Sequence, residues 1–215
     1  MHKFAPVLLA AAAIAGPAAA EGWYARADLG YGFSGALETP REIGIAPTFG
    51  GAGDFDGGWA ASVASGRAFA SGPRVEGELA YRDADVESSV GVAPGAEASA
   101  ISLLANAFYD FNRSGQFQPY IGAGIGVVQI DGRSFNNATL VTDLVGFDDT
   151  DTNVAYQVLA GVGVGLSERV TLDVGYRYFA APDLEFSGRG PLGVSRDFEA
   201  DYEHHSATIG LRWGL

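Results

Sequence analysis

The chain alternates apolar and polar residues with a period of two. Between residues 22 and 33, the odd positions carry Trp23, Leu29, Tyr31 and Phe33, whereas the even positions carry polar or small residues such as Arg26. Because successive side chains of a β-strand point to opposite faces, this alternation predicts a strand with one apolar and one polar face. Aromatic residues near both ends of the apolar face are typical of strands that cross a membrane.

The same alternation recurs in seven further segments. They span residues 59–69, 75–82, 101–110, 121–127, 157–165, 172–178 and 206–215. Segment 59–69 is the weakest, because Ser65 and Arg67 fall in the phase of Trp59 and Val63. A bulge or a strand end near Ser65 is therefore an alternative to a regular strand there. With this segment counted, the pattern predicts eight strands.

Short and long connections alternate between the predicted strands. The short ones lie at about residues 71–73, 112–117 and 167–169, and the long ones at about 34–57, 84–97, 131–152 and 181–202. Short periplasmic turns and long external loops are typical of bacterial barrels. The predicted fold class is therefore all-β, an eight-stranded antiparallel up-and-down transmembrane β-barrel. A soluble β-sandwich or lipocalin-like barrel is the alternative, and the Gly-rich polar face disfavours it because small residues suit a cramped interior.

The first twenty residues predict an export signal. A basic start with Lys3 precedes a nearly continuous apolar run over residues 4–15, and Ala18-Ala19-Ala20 supplies a small-residue cleavage pattern. We expect a signal peptide over residues 1–20, cleaved before a barrel domain of residues 21–215 in the bacterial outer membrane. An N-terminal membrane anchor is the alternative, although the run is short of the ~20 residues that span a bilayer.

Composition excludes several classes of function. The 215 residues include 13 Lys and Arg against 26 Asp and Glu, and the formal net charge of -13 argues against a nucleic-acid partner. The absence of Cys excludes disulfides, thiolate metal sites and Cys nucleophiles. The 31 Gly residues are about twice the usual share of ~7%, which suits a narrow lumen.

The two faces predict two sets of residues with different roles. A lumen charge network would consist of Arg26, Asp28, Glu76, Glu78, Arg82, Asp110, Asp173, Arg177 and Arg212. An aromatic girdle at the lipid interfaces would consist of Trp23, Tyr31, Phe33, Trp59, Tyr81, Tyr109, Tyr176, Tyr178 and Trp213. Because side chains about fill an eight-stranded barrel, we expect the lumen charges to form Arg–carboxylate pairs. They either plug the lumen, which is the favoured interpretation, or line a narrow channel for small solutes.

Much of the acidity is predicted to lie in the external loops. The acidic loop residues are Asp54, Asp56, Asp143, Asp148, Asp149, Asp151, Asp183, Glu185, Asp197, Glu199 and Asp201. Asp149, Asp151 and Asn153 have the opening spacing of a calcium loop, but Val154 and Ala160 replace its Gly and distal Glu. We therefore expect no dedicated metal site, and either a solvated charged loop or weak binding of divalent cations.

Two Gly repeats resemble nucleotide-binding loops. Segments 122–126 and 161–165 carry Gly at every second position, but Val127 and Leu166 stand where the dinucleotide fingerprint needs its third Gly. Both repeats also lie inside predicted strands. We expect small residues that face the lumen, and no cofactor.

One His/Ser cluster resembles a catalytic motif. The spacing of His204 and Ser206 is similar to the His-x-Ser pair of lipid A deacylase barrels, but no Asp or Glu follows Ser206 to complete the site. His205 and His204 are adjacent on a strand and would point to opposite faces, so they cannot share a lumen ion. We expect no catalytic residues and no enzyme.

The second half of the chain resembles a known family. Residues 105–111 (ANAFYDF) and 119–126 (PYIGAGIG), followed by Tyr156-Gln157 and Tyr176-Arg177-Tyr178, are similar to small outer-membrane surface antigens of alphaproteobacteria. These are related to OmpA-like and opacity-type barrels. The resemblance covers strands four to eight, and the first half by architecture only. It implies an outer-membrane surface protein without enzymatic activity.

The resemblance also implies partners. They are outer-membrane lipid, lipopolysaccharide and the barrel assembly machinery, which would recognise the C-terminal strand. Such barrels usually finish on Phe. This chain carries Leu215 instead, which keeps the apolar phase of Leu211 and Trp213.

Overall fold

Eight β-strands account for nearly all of the described chain. The computed structural model describes residues 22–38, 52–86, 96–137, 144–189 and 195–215, and the segment expected to be a signal peptide lies outside them. The strands are β1 (Gly22–Glu38), β2 (Ala52–Ala68), β3 (Pro73–Val86), β4 (Ala96–Asp110), β5 (Phe117–Asn137), β6 (Leu144–Gly165), β7 (Val170–Arg189) and β8 (Ser195–Gly214). No helix among the described residues is long and apolar enough to cross a membrane.

The strands close into a barrel. Each strand pairs antiparallel with its neighbour in the chain, and β1 also pairs with β8. Ala27 of β1, for example, lies opposite Val63 of β2 on one side and Leu211 of β8 on the other. The structure therefore confirms the predicted eight-stranded antiparallel barrel. Closure satisfies the backbone hydrogen bonds that an open sheet would leave exposed at its edges.

Side chains alternate between an apolar outer surface and the lumen. On β1, Trp23 and Leu29 are 60% and 58% exposed, whereas Arg26 between them is buried. The inner face also holds large apolar residues that the alternation did not predict, including Leu104 and Phe108 of β4. The lumen is therefore a mixed polar and apolar core inside a lipid-compatible wall.

Strand β2 is regular through Ser65. Its pairing with β1 and β3 continues without a shift from Trp59 to Ala68, so the alternative of a bulge or a strand end at Ser65 is wrong. The Ser65 hydroxyl faces outward and donates to the carbonyl of Tyr24, 3.3 Å away, which satisfies a polar group on the apolar face. The register shift in β2 lies instead between Phe55 and Gly58.

The strands continue well past the apolar alternation at one end of the barrel. The turn end carries the connections at residues 69–72, 111–116 and 166–169, and the opposite end is the loop end. At the loop end, β1 continues to Glu38 and β6 begins at Leu144. The long loops predicted at 34–57, 131–152 and 181–202 are therefore wrong in extent. Outward residues need to be apolar only where they contact lipid, so the alternation stops before the hydrogen-bonded ladder does.

Glycines in the lumen allow close packing of side chains and strands. The Phe108 ring occupies the space where a Cβ at Gly122 would lie. A Cβ at Gly126 would overlap the Leu103 carbonyl of the neighbouring strand and approach the Cα of Leu104 to 2.7 Å. Because backbone cannot move aside as a flexible side chain can, Gly126 is required by the spacing of β4 and β5.

Substituting Gly126 with Ala should destabilise the barrel. We expect Gly126→Ala to lower the free energy of unfolding by about 1–3 kcal/mol, which is typical of overpacking. Gly77→Ala is the matched control, because an added Cβ there meets nothing within 4 Å. Urea unfolding of the refolded protein in detergent, followed by Trp fluorescence, measures both. Equal midpoints for the two variants would contradict the packing argument.

Candidate functional site

The residues predicted as a lumen charge network are all buried. Each of the nine is at most 8% exposed, and Glu78 and Arg82 are fully buried. They come from β1, β3, β4, β7 and β8. In a barrel of eight strands, opposite walls are close enough for such side chains to meet across the lumen.

Glu78 lies at the centre of the first group of charges. Its carboxylate accepts two parallel hydrogen bonds from the Arg177 guanidinium, at 3.0 and 3.1 Å, and a third from Arg26 at 2.8 Å. The Gln157 and Asn106 amides donate to the same carboxylate. This bidentate, multiply hydrogen-bonded arrangement is the geometry in which a buried carboxylate is best compensated.

Arg26 extends this group to two more carboxylates. Its guanidinium lies 2.7 Å from Glu76 and 3.2 Å from Asp28. Asp28 is also 3.7 Å from Arg177, so the group closes into a ring of alternating charges. Each charge is held by more than one partner, which restricts the side chains to one arrangement.

A second group of charges lies nearer the turn end. Asp110 is 2.9 Å from Arg74 and 3.5 Å from each of Arg212 and Arg113. Arg212 also reaches Asp173 at 3.2 Å. Together the two groups include ion pairs that cross the lumen between strands that are not neighbours, such as Arg177 with Glu78 and Arg212 with Asp110.

Arg74 belongs to the network although the sequence reasoning missed it. The residue is fully buried, and its guanidinium lies 4.4 Å from the centre of the Phe108 ring. Its position has the same parity as Glu76 and Glu78, and that signal could have identified it. The predicted strand began at Val75, whereas the ladder already includes Pro73.

The carboxylates of the network are held in ion pairs. All five carboxylates that are buried among the described residues are paired with Arg, and Phe108, Tyr120 and Leu159 pack together beside them. A carboxylate fixed by guanidinium groups is a poor proton donor or acceptor. Among the described residues, no group of three or more His, Asp or Glu could hold a metal ion. The arrangement therefore suits a structural role.

His204 and His205 lie on opposite faces of β8. His204 is 1% exposed and Ser206 is fully buried, so both face the lumen. The imidazole of His204 stacks against Tyr202, with ring centroids 6.4 Å apart and planes inclined by 2°. His205 faces outward, where its Nδ1 lies 2.6 Å from the Tyr176 hydroxyl.

The residues predicted as an aromatic girdle face outward. The structure exposes eight of them by 37–66%, namely Trp23, Tyr31, Phe33, Trp59, Tyr81, Tyr109, Tyr176 and Trp213. Tyr178 is half-buried and donates to Glu203 at 3.0 Å. Trp23, Tyr109 and Trp213 lie toward the turn end, and the rest lie toward the loop end. Aromatic residues toward both ends of the barrel are what a girdle at two membrane interfaces would need, and the girdle role stays a prediction.

Strands β6 and β7 part near the loop end. Their ladder includes Tyr156 opposite Ala180, and it resumes only where Phe147 lies opposite Gly188. Residues 148–155 of β6 and 181–187 of β7 therefore face each other without backbone pairing, and this region is termed the β6–β7 seam. Asp183 lies within it and has a left-handed backbone, with φ of 55°.

Side chains of β6 replace the missing ladder across the seam. The Asp149 carboxylate accepts from the backbone N–H of Ser187 at 2.8 Å, and Asp151 accepts from the N–H of Glu185 at 3.0 Å. The Asn153 amide donates to the Asp183 carbonyl at 2.6 Å. The calcium-like spacing of Asp149, Asp151 and Asn153 is thus the period-two spacing of a strand whose polar side chains bridge to its neighbour.

The chain has relatives among small outer-membrane proteins. The outer membrane protein beta-barrel domain family matches residues 5–213. An uncharacterized protein of Brucella abortus (strain 2308) is 32% identical over 73% of this chain and 67% of its own length. An opacity protein of Neisseria gonorrhoeae is 30% identical over 52% of this chain and 51% of its own length. The crystal structure of OprG from Pseudomonas aeruginosa covers 90% of this chain and 95% of its own, with a TM-score of 0.60 and 14% identity, a likeness of fold alone.

Removing one central charge should test the network. We expect Glu78→Gln to lower the free energy of unfolding by about 3–5 kcal/mol, because it leaves buried guanidinium charge uncompensated. Glu168→Gln is the matched control, since Glu168 is exposed in a turn. Urea unfolding in detergent micelles measures both. A Glu78→Gln midpoint equal to that of the control would show that the network contributes nothing to stability.

Removing the bridging carboxylates should loosen the seam. In the double variant Asp149→Ala/Asp151→Ala, we expect the amide hydrogens of Ser187 and Glu185 to exchange roughly two- to tenfold faster, because each loses its acceptor. Val174 lies in the paired part of β7 and is the internal control. Hydrogen exchange followed by NMR measures all three amides. Unchanged exchange at Ser187 and Glu185 would contradict a bridging role.

The seam should also respond to acid. The N–H groups of Ser187 and Thr150 hold the pKa of Asp149 below its usual value. A carboxylate with a lowered pKa contributes its bond at neutral pH, and the bond is lost as pH falls through the lowered value. In the wild type, protection of the Ser187 amide from hydrogen exchange, measured by NMR, should therefore fall as the pH drops through this acidic range. In the double variant, which lacks the Asp149 carboxylate, the same protection should not depend on pH in this range.

Proposed function

Because the chain belongs to the outer membrane protein beta-barrel family, and its site is a set of paired charges, we propose that it is a non-enzymatic protein with a structural and surface role. The chain lies in the bacterial outer membrane, where its outer surface contacts lipid. The observation that carries the proposal is the pairing of all five buried carboxylates with Arg across the lumen. A lumen filled in this way acts as a rigid core and leaves the loop end to interact with the surroundings.

The His/Ser cluster does not have the placement of a lipid-modifying site. His204 and Ser206 are buried on the lumen face, so neither side chain reaches the lipid that such an enzyme would modify. Because one fold can carry many activities, the placement of these side chains supports a non-enzymatic role more strongly than the barrel architecture does.

The acidic character of the loop end supports a surface-antigen role. Asp183, Glu185 and Asp201 are exposed there. Asp149 and Asp151 are part-exposed, and their carboxylates bridge the seam. Weak binding of divalent cations by these carboxylates belongs to the same proposal, and nucleic acid does not, because its phosphates would be repelled.

The proposed function also requires export of the chain and its assembly in the outer membrane. Residues 1–20 would be cleaved as a signal peptide, and residues 21–215 would form the outer-membrane domain. The assembly machinery would recognise β8, whose outward face carries Ile209 and Trp213. Lipopolysaccharide would surround the loop-end half of the outer surface, beside the outward-facing aromatic residues.

Planar-bilayer recording distinguishes a filled lumen from a narrow channel. We expect the purified, refolded wild type to give no reproducible conductance, because paired side chains occupy the lumen. The double variant Glu78→Ala/Arg177→Ala should conduct more than the wild type, because it removes one bidentate pair from the centre. Glu168→Ala is the control for purification and refolding.

Reproducible conductance from the wild type, absent from a mock preparation, would overturn the filled-lumen proposal. It would favour the alternative of a porin-like channel for small solutes. If neither the wild type nor the control conducts, and the double variant does, the result would support the filled-lumen proposal.

A further inference from the structure

Arg82 is a buried cation outside the ion-pair network. The residue is fully buried, and its guanidinium lies 3.9 Å from the centre of the Phe179 ring. It donates to two neutral groups, the Ser102 hydroxyl at 2.8 Å and the Gln157 carbonyl at 3.5 Å. In the part of the chain that the structure describes, no carboxylate lies within ion-pair distance of it. Arg26, Arg74, Arg177 and Arg212 all have such partners.

Arg82 and three nearby side chains carry buried polar atoms without hydrogen-bond partners. They are the Nε atoms of Arg82 and Arg177, both ring nitrogens of His204 and the hydroxyl oxygen of Ser206. Unpartnered polar atoms are rare in buried positions, and each one costs free energy unless a ligand or water satisfies it. One ligand that accepts hydrogen bonds could satisfy these four neighbouring side chains together.

The strand register brings these four side chains together. Arg177 of β7 lies opposite Ser206 of β8, and Phe179 lies opposite His204 two residues further along. Arg82 covers the Phe179 ring, which places its guanidinium beside the same two strands. The cluster therefore lies on the loop-end side of Glu78, between the ion-pair network and the apolar side chains of Phe179 and Leu184.

The chemistry of the cluster selects an anion. Two Arg Nε atoms can only donate, a neutral His ring has one donor, and a Ser hydroxyl can turn to donate. The four groups thus offer at least four donors, and Arg82 adds a positive charge without a paired carboxylate. A metal cation would be repelled by the guanidinium groups. Because all four side chains are nearly or completely buried, the ligand is a small ion and not a larger molecule.

From these observations we infer that the loop-end half of the lumen binds a small monovalent anion of the halide class, held by Arg82, Arg177, His204 and Ser206. The anion lies against the Arg82 guanidinium, which has no carboxylate within ion-pair distance among the described residues. The anion is a ligand taken from solution.

Unfolding in matched salts tests the inference in solution. The refolded protein in a non-ionic detergent is unfolded with urea in sodium chloride, and in sodium gluconate at the same ionic strength. A ligand that binds the folded state raises its stability. We expect the wild-type midpoint to be higher in chloride, and the difference to grow with chloride concentration.

Two matched Arg variants separate binding at this site from general salt effects. Arg82→Met keeps an unbranched side chain and removes the charge, so its chloride-dependent shift should vanish. Arg67→Met is the control, because Arg67 is exposed on the outer face, and it should keep the full wild-type shift. An Arg82→Met shift equal to that of the wild type would overturn the inference.

Bromide-soaked crystals of the wild type give a test that needs no variant to fold. Bromide is the probe because its anomalous signal distinguishes it from water. We expect an anomalous peak within hydrogen-bond distance of Arg82 Nε, near His204 and Ser206. A water molecule at that position, with no anomalous peak, would overturn the inference. The test is independent of the conductance experiment, because an anion can bind inside a lumen that does not conduct.

Discussion

The requirement that no backbone hydrogen-bonding group be left unpaired in lipid governs this structure. A sheet satisfies that requirement only by closing on itself, and here closure is the pairing of β1 with β8. Eight strands make the smallest barrel of this kind, so closure also fixes a narrow lumen. The narrow lumen determines which side chains fit inside, and the surrounding lipid determines which fit outside.

The narrow lumen explains both its glycines and its arginines. Where a large side chain projects inward, the residue beside it on the neighbouring strand must be small, as Gly122 is beneath the Phe108 ring. Where a charge projects inward, water is too scarce to solvate it, and an opposite charge must lie close by. Arg meets this need better than Lys, because its planar guanidinium can hold one carboxylate by two bonds, as Arg177 holds Glu78.

The sequence predicted the strands and faces well, because lipid imposes a simple rule on every outward position. Trp23, Leu29 and Trp59 obey the rule, and their exposure follows from it. Ser65 breaks the rule without breaking the strand, since its hydroxyl bonds to the backbone. Leu104 and Phe108 are inward and apolar, and nothing in a two-residue period predicts this, because a lumen accepts any side chain whose volume fits.

Strand length and partner choice were less accessible to sequence reasoning. Beyond the lipid, a strand is maintained by hydrogen bonds alone, which have no hydrophobic signature, so the outer parts of β1 and β6 were assigned to loops. The charges predicted to face inward are buried, but which Arg meets which carboxylate depends on the register of all eight strands around the ring. Arg74 is an example: because the predicted strand began too late, at Val75, Arg74 was left out of the predicted network.

The two halves of the barrel differ in how they meet the same constraints. Toward the turn end, backbone pairs with backbone, and buried charge pairs with buried charge. Toward the loop end, Asp149 and Asp151 stand in for missing backbone partners across the β6–β7 seam, and Arg82 has no carboxylate. Carboxylates titrate and bound ions exchange, whereas a backbone ladder does neither. The half of the barrel next to the loops is therefore the half whose cohesion depends on the composition of the surrounding solution.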